Sequence, residues 1–138
     1  MRGFDTFDST VANAANLLRP YARGNPQIQN PRHWNLFVIR IIWRFRAKPD
    51  KQNEFLQAYS WKGKWAKLFG RSSEYQGTLL LQDASDPLSY IVIDRWESTE
   101  SYSRFQQLFA PDYEFLDRQC NELTDEETYL GMFKDEPA

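Results

Sequence analysis

Strict alternation of large apolar side chains begins at residue 36 and limits the possible folds more than any other part of the sequence. Every second position is apolar: Phe37, Ile39, Ile41, Trp43 and Phe45. The positions between them include Arg40, Arg44 and Arg46. A period of two is typical of a β-strand, whose successive side chains point to opposite faces of a sheet. The pattern therefore predicts a strand with one apolar face and one face rich in arginine.

The rest of the chain alternates between helical and extended patterns. Pro49 and Asp50 open a helix that Gly63 interrupts, and Ser98 is suited to cap a second helical region. Further strands are predicted over residues 77–82, 89–97 and 128–133, with a five-residue turn over 83–87. The order β-α-β-β-α-β predicts a ferredoxin-like α+β fold, a four-stranded antiparallel sheet with helices on one face.

The chain is expected to hold one folded domain with short extensions. Residues 36–134 form the α+β domain, residues 1–35 an N-terminal arm in which Ser9 or Thr10 can cap a short helix, and residues 135–138 a polar tail. The helix-free face of the sheet would expose a large patch of isoleucine, valine and arginine in a monomer. We therefore expect a C2 homodimer in which two sheets pair face to face.

The composition is rich in aromatic residues and poor in reactive ones. The chain has 10 Phe, 7 Tyr and 5 Trp, but one His (His33) and one Cys (Cys120). Two such ligands are too few for a zinc site built from His and Cys, and one Cys cannot form a disulfide within the chain. An enzyme with a Ser-His-Asp or Cys-His arrangement would have to use His33. A zinc site of this kind is therefore not predicted.

Charge is divided unevenly along the chain. Residues 1–73 hold 13 Lys and Arg and four Asp and Glu. Residues 74–138 hold four Lys and Arg and 15 Asp and Glu. We interpret this as pairing between two interleaved halves, with a basic surface for phosphates as the alternative. The net charge of −2 does not favour nucleic acid. Arg40 and Arg44 break the most apolar run, so we expect no membrane contact and a cytoplasmic protein.

One segment resembles a known family. The run from Tyr90 to Tyr102, with the sequence YIVIDRWESTESY, is similar to the signature of the antibiotic biosynthesis monooxygenase family. The resemblance extends over about residues 36–133 and implies a dimeric α+β barrel whose substrate sits between the sheet and the helices of each subunit. Trp96 matches the tryptophan that ends the third strand in this family. Some members are oxygenases that need no cofactor, and others degrade haem.

Two departures from the family pattern point away from haem degradation. The position of the helix histidine that can ligate haem is Phe105 here, and the first strand carries Arg40, Arg44 and Arg46 instead of an asparagine. The resemblance then implies a cofactor-independent monooxygenase acting on an aromatic or quinol-like molecule and O2. Such a reaction needs a substrate that can itself give an electron to O2 once it is deprotonated. The protein must supply an apolar pocket, a base and a positive group.

Candidate site residues follow from these needs. Asp94 shares a strand face with Trp96 and is the candidate base, and Arg44 or Arg95 is the candidate for stabilising an anion. Aromatic walls suit a flat substrate through stacking. The candidate substrate-binding residues are Trp43, Tyr59, Trp65, Tyr90 and Phe105, with Trp96 as the third catalytic candidate.

Other interpretations of the same residues remain open. Stripes of aromatic residues at these spacings also form ordinary cores, and Asp94 can pair with an arginine of the sheet. The alternative function is a non-catalytic barrel that binds a hydrophobic ligand or a protein partner. Haem binding through a tyrosine or His33 is a third possibility.

Overall fold

The computed structural model describes residues 37–136, so the predicted arm, with His33, lies outside the described part of the chain. Within it, strands and helices follow the predicted order. They are β1 (Ile39–Ala47), α1 (Gln52–Tyr59), α2 (Lys64–Phe69), β2 (Tyr75–Asp83), β3 (Asp86–Trp96), α3 (Thr99–Leu108), α4 (Ala110–Cys120) and β4 (Thr124–Lys134). Short 3-10 turns at Pro49–Lys51 and Asn121–Leu123 precede α1 and β4.

The strands form one antiparallel sheet with the order β2-β3-β1-β4. This is the predicted ferredoxin-like arrangement. The alternation along β1 is confirmed, because Ile41 and Phe45 are completely buried whereas Arg44 is exposed. The apolar faces of β1 and β3 meet the buried side chains of the helices in one continuous core.

Several strand boundaries differ from the prediction, including the start of β2 at Tyr75 instead of Gly77. The β2–β3 turn contains only residues 84 and 85, because β2 and β3 extend to Asp83 and Asp86. The Asp83 carboxylate closes this turn by accepting the backbone N–H of Ser85 at 2.8 Å. The last strand begins at Thr124, four residues before the predicted start. Its polar first residues resemble a loop in sequence because β4 is an edge strand with solvent on its free side.

Glycine and serine fix the helix boundaries as predicted. A Cβ atom on Gly63 would lie 2.6 Å from the carbonyl oxygen of Gln57 and 2.7 Å from that of Ala58, so only glycine lets α1 and α2 approach this closely. At the start of α3, the Ser98 side chain accepts the backbone N–H of Ser101, and the Ser101 side chain accepts that of Ser98. This reciprocal pair is a capping box.

The second face of the sheet carries no helix among the described residues and is called here the open face. It presents Arg40, Ile42, Arg44 and Arg46 from β1, Ile91, Ile93 and Arg95 from β3, Leu79 and Leu81 from β2, and Phe133 from β4. Leu79 and Phe133 are about half exposed, at 52% and 48%. The face therefore combines uncovered apolar side chains with four arginines.

Charges from the two halves of the sequence meet in the fold. Arg40 pairs with Asp135, Arg46 with Asp86, and Arg71 with Asp112. Each of these ion pairs joins a base from residues 1–73 to an acid from residues 74–138. The predicted pairing of the two halves is therefore present at these positions.

None of the helices that the structure describes has both the length and the apolar character needed to span a membrane.

Candidate functional site

The candidate site begins at an irregularity in the edge strand β2. Gly77 has a φ of +118°, and the register with β3 shifts between Tyr75 and Gly77. Such a bulge inserts an extra residue, here Gln76, and changes which side chains share a face. As a result Tyr75 and Thr78, three positions apart, both face the helices, opposite Trp96 and Asp94.

These side chains form a directed chain of hydrogen bonds. The Thr78 hydroxyl donates to Asp94 Oδ1 at 2.6 Å and lies 2.5 Å from the Tyr75 hydroxyl. A threonine hydroxyl has one hydrogen, which is used on Asp94, so the Tyr75 O–H is the donor to Thr78. The order of donation is therefore Tyr75 to Thr78 to Asp94.

Asp94 is a carboxyl group held inside the molecule. Its side chain is 1% exposed, between the helices and the middle of the sheet. Burying a carboxylate is costly unless donors compensate it, and the Thr78 hydroxyl is one such donor. A fixed, buried carboxylate of this kind can hold or accept a proton from a group placed next to it.

Trp96 lies next to Asp94 on the same strand face and is fully buried. Its ring has four aromatic neighbours with centroids between 5.2 and 5.5 Å away, namely Phe69, Tyr75, Tyr102 and Phe105. The indole Nε1–H of Trp96 has no acceptor among the described residues. The indole N–H groups of Trp43 and Trp65 share this property, and a further acceptor beside such a donor would be stabilised.

The other predicted aromatic residues extend away from this centre. Trp65 is connected to Trp96 through Phe69, whose centroid is 5.6 Å from that of Trp65. Tyr59 follows at 6.3 Å from Trp65. All of these rings are buried, so they form one side of a continuous aromatic core.

Trp43 lies in the middle of β1 opposite Val92, and Tyr90 lies further along the same face of β3. Tyr90 packs on Phe55 at 4.8 Å, and its hydroxyl accepts a hydrogen bond from the Gln52 side chain at 2.8 Å. Trp43 stacks on Phe45 at 5.8 Å. Of the five predicted substrate-binding residues, only Phe105 is in contact with Trp96.

Arg44 is separated from this site by the sheet itself. Its position on β1 is opposite Ile91 on β3, and its side chain is exposed. Its guanidinium contacts the Ser89 hydroxyl at 3.4 Å. Asp94 and Trp96 point to the helices, whereas Arg44 and Arg95 belong to the open face. Neither arginine therefore lines the compartment of Asp94 within one subunit, because side chains of one strand alternate between faces.

The open face has its own electrostatic character. Arg40 and Arg95 occupy directly opposite positions on β1 and β3, an unfavourable arrangement of like charges. Burial, followed by the charge of Arg40, lowers the pKa of the Arg95 guanidinium. The Nε atom of Arg95 is buried and has no acceptor within residues 37–136.

Two site residues were missed by reasoning from the sequence. Period-two alternation assigns Tyr75 and Thr78 to opposite faces, so neither was grouped with Asp94. The signal that could have found them is Gly77 inside an otherwise regular strand, because an isolated glycine there suggests a bulge.

The fold recurs in solved structures of low sequence identity. A conserved protein from Methanosarcina mazei Go1 superimposes with a TM-score of 0.60 at 15% identity, covering 75% of this chain and 98% of that one. SnoaB, a cofactor-independent oxygenase from Streptomyces nogalater, gives 0.56 at 18% identity, covering 74% and 96%. These identities establish a common fold and no more.

The sequence itself matches a family directly. Among curated proteins none matches the chain. The family of antibiotic biosynthesis monooxygenases, however, matches residues 38–110, which is more than half of the 138 residues. This range contains Asp94, Trp96 and Phe105, together with the bulge at Gly77. The chain therefore belongs to the antibiotic biosynthesis monooxygenase family.

Proposed function

We propose that this protein is a cofactor-independent monooxygenase that oxidises an aromatic or quinol-like small molecule between its sheet and its helices. The observation that carries the proposal is the buried Asp94 carboxylate, oriented by Thr78 and adjacent to the unpaired Nε1–H of Trp96. Membership of a monooxygenase family supports it, as does the structural likeness to SnoaB, itself a cofactor-independent oxygenase.

The proposed reaction uses the substrate as its own reductant. Asp94 takes the proton of a phenolic hydroxyl, and the electron-rich phenolate transfers one electron to O2. The resulting superoxide and substrate radical combine at a ring carbon to give a peroxide anion, which takes the proton back from Asp94 and becomes a hydroperoxide. Loss of water then leaves a quinone, so that a phenol and O2 become a quinone and H2O. One oxygen atom of O2 enters the product and the other leaves as water.

The neighbours of Asp94 have distinct roles in this scheme. Thr78 and Tyr75 are positioning residues, since they act on Asp94 and hold it in one orientation. Trp96 is a candidate catalytic residue whose Nε1–H can donate to the oxygen of the phenolate or of the hydroperoxide. Hydrogen bonds to an ionised acceptor are about twice as strong as neutral ones, so this donor would favour the charged species.

Aromatic rings near Trp96 supply the proposed walls. Phe105 stands 5.2 Å from Trp96 and is the nearest of the predicted substrate-binding residues. Trp65 and Tyr59 would form the more distant part of the wall. Trp43, opposite Val92, is a diagonal neighbour of Asp94 on the same face and would form the wall on that side. Arg44 lies on the other face of the sheet and Tyr90 lies four residues from Asp94 along β3, so neither belongs to this proposal.

Oxygen consumption by the purified, metal-free protein tests the proposal. We expect O2 uptake above the buffer rate with at least one member of a panel of quinols and dihydroxynaphthalenes. Asp94→Asn should lower kcat/KM by about 10²-fold or more, the range of a lost general base. Asp117→Asn neutralises another buried carboxylate, on α4, and should retain the parent rate.

A second pair of variants tests the indole donor. Trp96→Phe keeps an aromatic ring and removes the Nε1–H, and we expect kcat to fall by about tenfold or more, as for a lost hydrogen bond to a charged group. Trp61→Phe makes the same change at an exposed position and should leave the rate unchanged. No turnover across the panel, or equal rates for the parent and Trp96→Phe, would contradict the proposal.

We further propose that the protein works as a homodimer in the cytoplasm. The uncovered apolar side chains of the open face and the unsatisfied Arg95 support a second sheet packing there. The scarcity of cysteine supports a reducing compartment.

One observation favours a second candidate function, a non-catalytic barrel that binds a hydrophobic ligand or a protein partner. Trp96 is enclosed by rings that also contact one another, as Phe69 does with Phe105 at 5.4 Å. Such packing is expected of a structural core. Tight binding of an aromatic ligand without O2 uptake would identify this function.

A further inference from the structure

A groove of about 340 Å³ lies between α2 and α4, apart from the site of Asp94 and Trp96. Its residues recur at i, i+3, i+4 and i+7 along each segment, a spacing that places side chains on one helical face. They are Lys64, Lys67, Leu68 and Arg71 from α2 and the turn that follows it, and Asp112, Phe115, Leu116 and Gln119 from α4. A basic helical face on α2 therefore lies opposite a face of α4 that carries one acidic, one amide and two apolar side chains.

The base of this groove is apolar. Leu68 and Leu116 are almost buried, at 7% and 8% exposed, whereas Phe115 exposes 56% of its surface. An aromatic ring left this open beside two leucines offers apolar surface that a ligand can cover.

Two positive charges on the α2 side of the groove have no acidic partner within residues 37–136. Lys64 and Lys67 are exposed, and neither ammonium forms an ion pair within residues 37–136. Arg71 is already engaged, because it pairs with Asp112 at 2.5 Å and lies over the Phe109 ring at 5.5 Å. Asp112 is thereby neutralised, and two lysines three positions apart are left facing the groove.

We propose that this groove binds a free organic carboxylate with an apolar chain or ring. The carboxylate would sit between the Lys64 and Lys67 ammonium groups, and the apolar part would lie on Leu68, Leu116 and Phe115. A carboxylate fits better than a phosphate, because Arg71, the side chain suited to grip phosphate bidentately, is held by Asp112.

The size of the groove favours a small molecule over a protein. Pockets that bind small molecules have volumes of about 300 Å³ or more, so this groove is large enough for such a ligand. Two turns on each helix span only about 10 Å, whereas a stable protein interface covers about 800 Å² on each partner. This site is independent of the proposed oxygenase reaction, since Asp94 and Trp96 do not line it.

Three probes with the same ten-carbon chain test the proposal in the full-length protein. Decanoate, decanol and decyltrimethylammonium are titrated below their micelle concentrations while backbone-amide NMR signals are followed. We expect saturable shifts confined to α2 and α4 with decanoate, weaker ones with decanol and none with the cation. The double variant Lys64→Gln/Lys67→Gln should weaken decanoate binding by about three- to tenfold, as for two exposed ion pairs. Lys48→Gln/Lys134→Gln removes two charges outside the groove and should bind as the parent does.

Several results would overturn this inference. They are the absence of decanoate binding, equal affinities for decanoate and decanol, unchanged decanoate affinity in Lys64→Gln/Lys67→Gln, and shifts centred on Asp94 and Trp96. The last result would place the ligand in the proposed oxygenase site, and O2 uptake is a separate measurement that none of these titrations affects.

Discussion

At the scale of single residues, Thr78 connects stability with the proposed chemistry. Its hydroxyl is a donor to the buried Asp94 carboxylate, and it receives the hydrogen bond of Tyr75. A valine at this position would keep the shape of the side chain but remove the hydrogen bond to Asp94 and the acceptor of the Tyr75 hydroxyl. Part of the stability of the fold and of the orientation of Asp94 therefore depends on the Thr78 hydroxyl.

Thr78→Val should lower the free energy of unfolding by about 1–3 kcal/mol, the net contribution of two hydrogen bonds of which one is made to a charged group. Urea denaturation measures it. Thr128→Val makes the same change at an exposed position on β4, where we expect a change within about 0.5 kcal/mol. Equal midpoints for the two variants would show that the hydrogen bonds of Thr78 contribute nothing net.

The sequence predicts only part of this residue-level arrangement. Asp94 and Trp96 could be placed on the same face of the sheet, because the side chains of β3 alternate regularly between the two faces at these positions. Tyr75 and Thr78 could not, because the alternation breaks at Gly77 and nothing local indicates how far the register shifts. The burial of Asp94 follows from the face that it shares with Trp96, whereas its hydrogen bond with Thr78 does not follow from the sequence.

At the scale of elements, Gly77 sets the geometry of the site through the backbone of β2. Its φ of +118° is one that residues with a Cβ rarely adopt, and a Cβ there would meet no atom within 4 Å. The penalty of a substitution is therefore backbone strain rather than a clash.

Gly77→Ala should accordingly destabilise the protein by about 1–3 kcal/mol. The strand is also expected to relieve strain by moving Thr78 away from Asp94, so O2 uptake should fall together with stability. Thermal unfolding and the oxygen assay on the same preparation measure both effects. If Gly77→Ala has the thermal stability and the O2 uptake of the parent, the bulge does not require glycine at this position.

The cap of α3 gives a second prediction at this scale. Ser98→Ala removes the side-chain acceptor of the Ser101 N–H, and the expected loss of stability is about 1 kcal/mol. Ser98→Gly should cost less, because glycine is a tolerated N-cap. Urea denaturation should therefore give the highest free energy of unfolding for the parent, a lower value for Ser98→Gly and the lowest for Ser98→Ala. Any other order would contradict the role of the cap.

The order and type of the elements were predictable because β1 and β3 show a period of two and most breaks contain glycine, proline or a capping serine. The edge strands were predicted less well. Thr124 to Glu127 are polar because solvent lies beside β4, so their sequence resembles a loop although their backbone pairs with β1. Hydrogen bonding, not side-chain burial, defines the start of this strand.

At the scale of the whole molecule, the open face determines the expected assembly. Leu81 is 44% exposed there beside Ile91, and Arg40 faces Arg95. A partner sheet would bury the apolar side chains and could bring acceptors to the arginines.

Light scattering at micromolar concentration should therefore give the mass of a dimer. Leu81→Lys, which introduces a charge into the proposed interface, should shift the mass to that of a monomer. Leu108→Lys makes the same change at an exposed leucine on α3 and should remain dimeric. A monomeric parent protein, or a dimer that tolerates Leu81→Lys, would refute this interface.

Turnover under O2 enriched in a heavy oxygen isotope tests the central claim most directly. With metal-free protein and a quinol that supports O2 uptake, mass spectrometry of the product should show one heavy oxygen atom per molecule, and Asp94→Asn should form this product about 10²-fold more slowly. Product whose new oxygen comes from water, or an identical rate of formation by Asp94→Asn, would contradict a monooxygenase reaction at the Asp94 site.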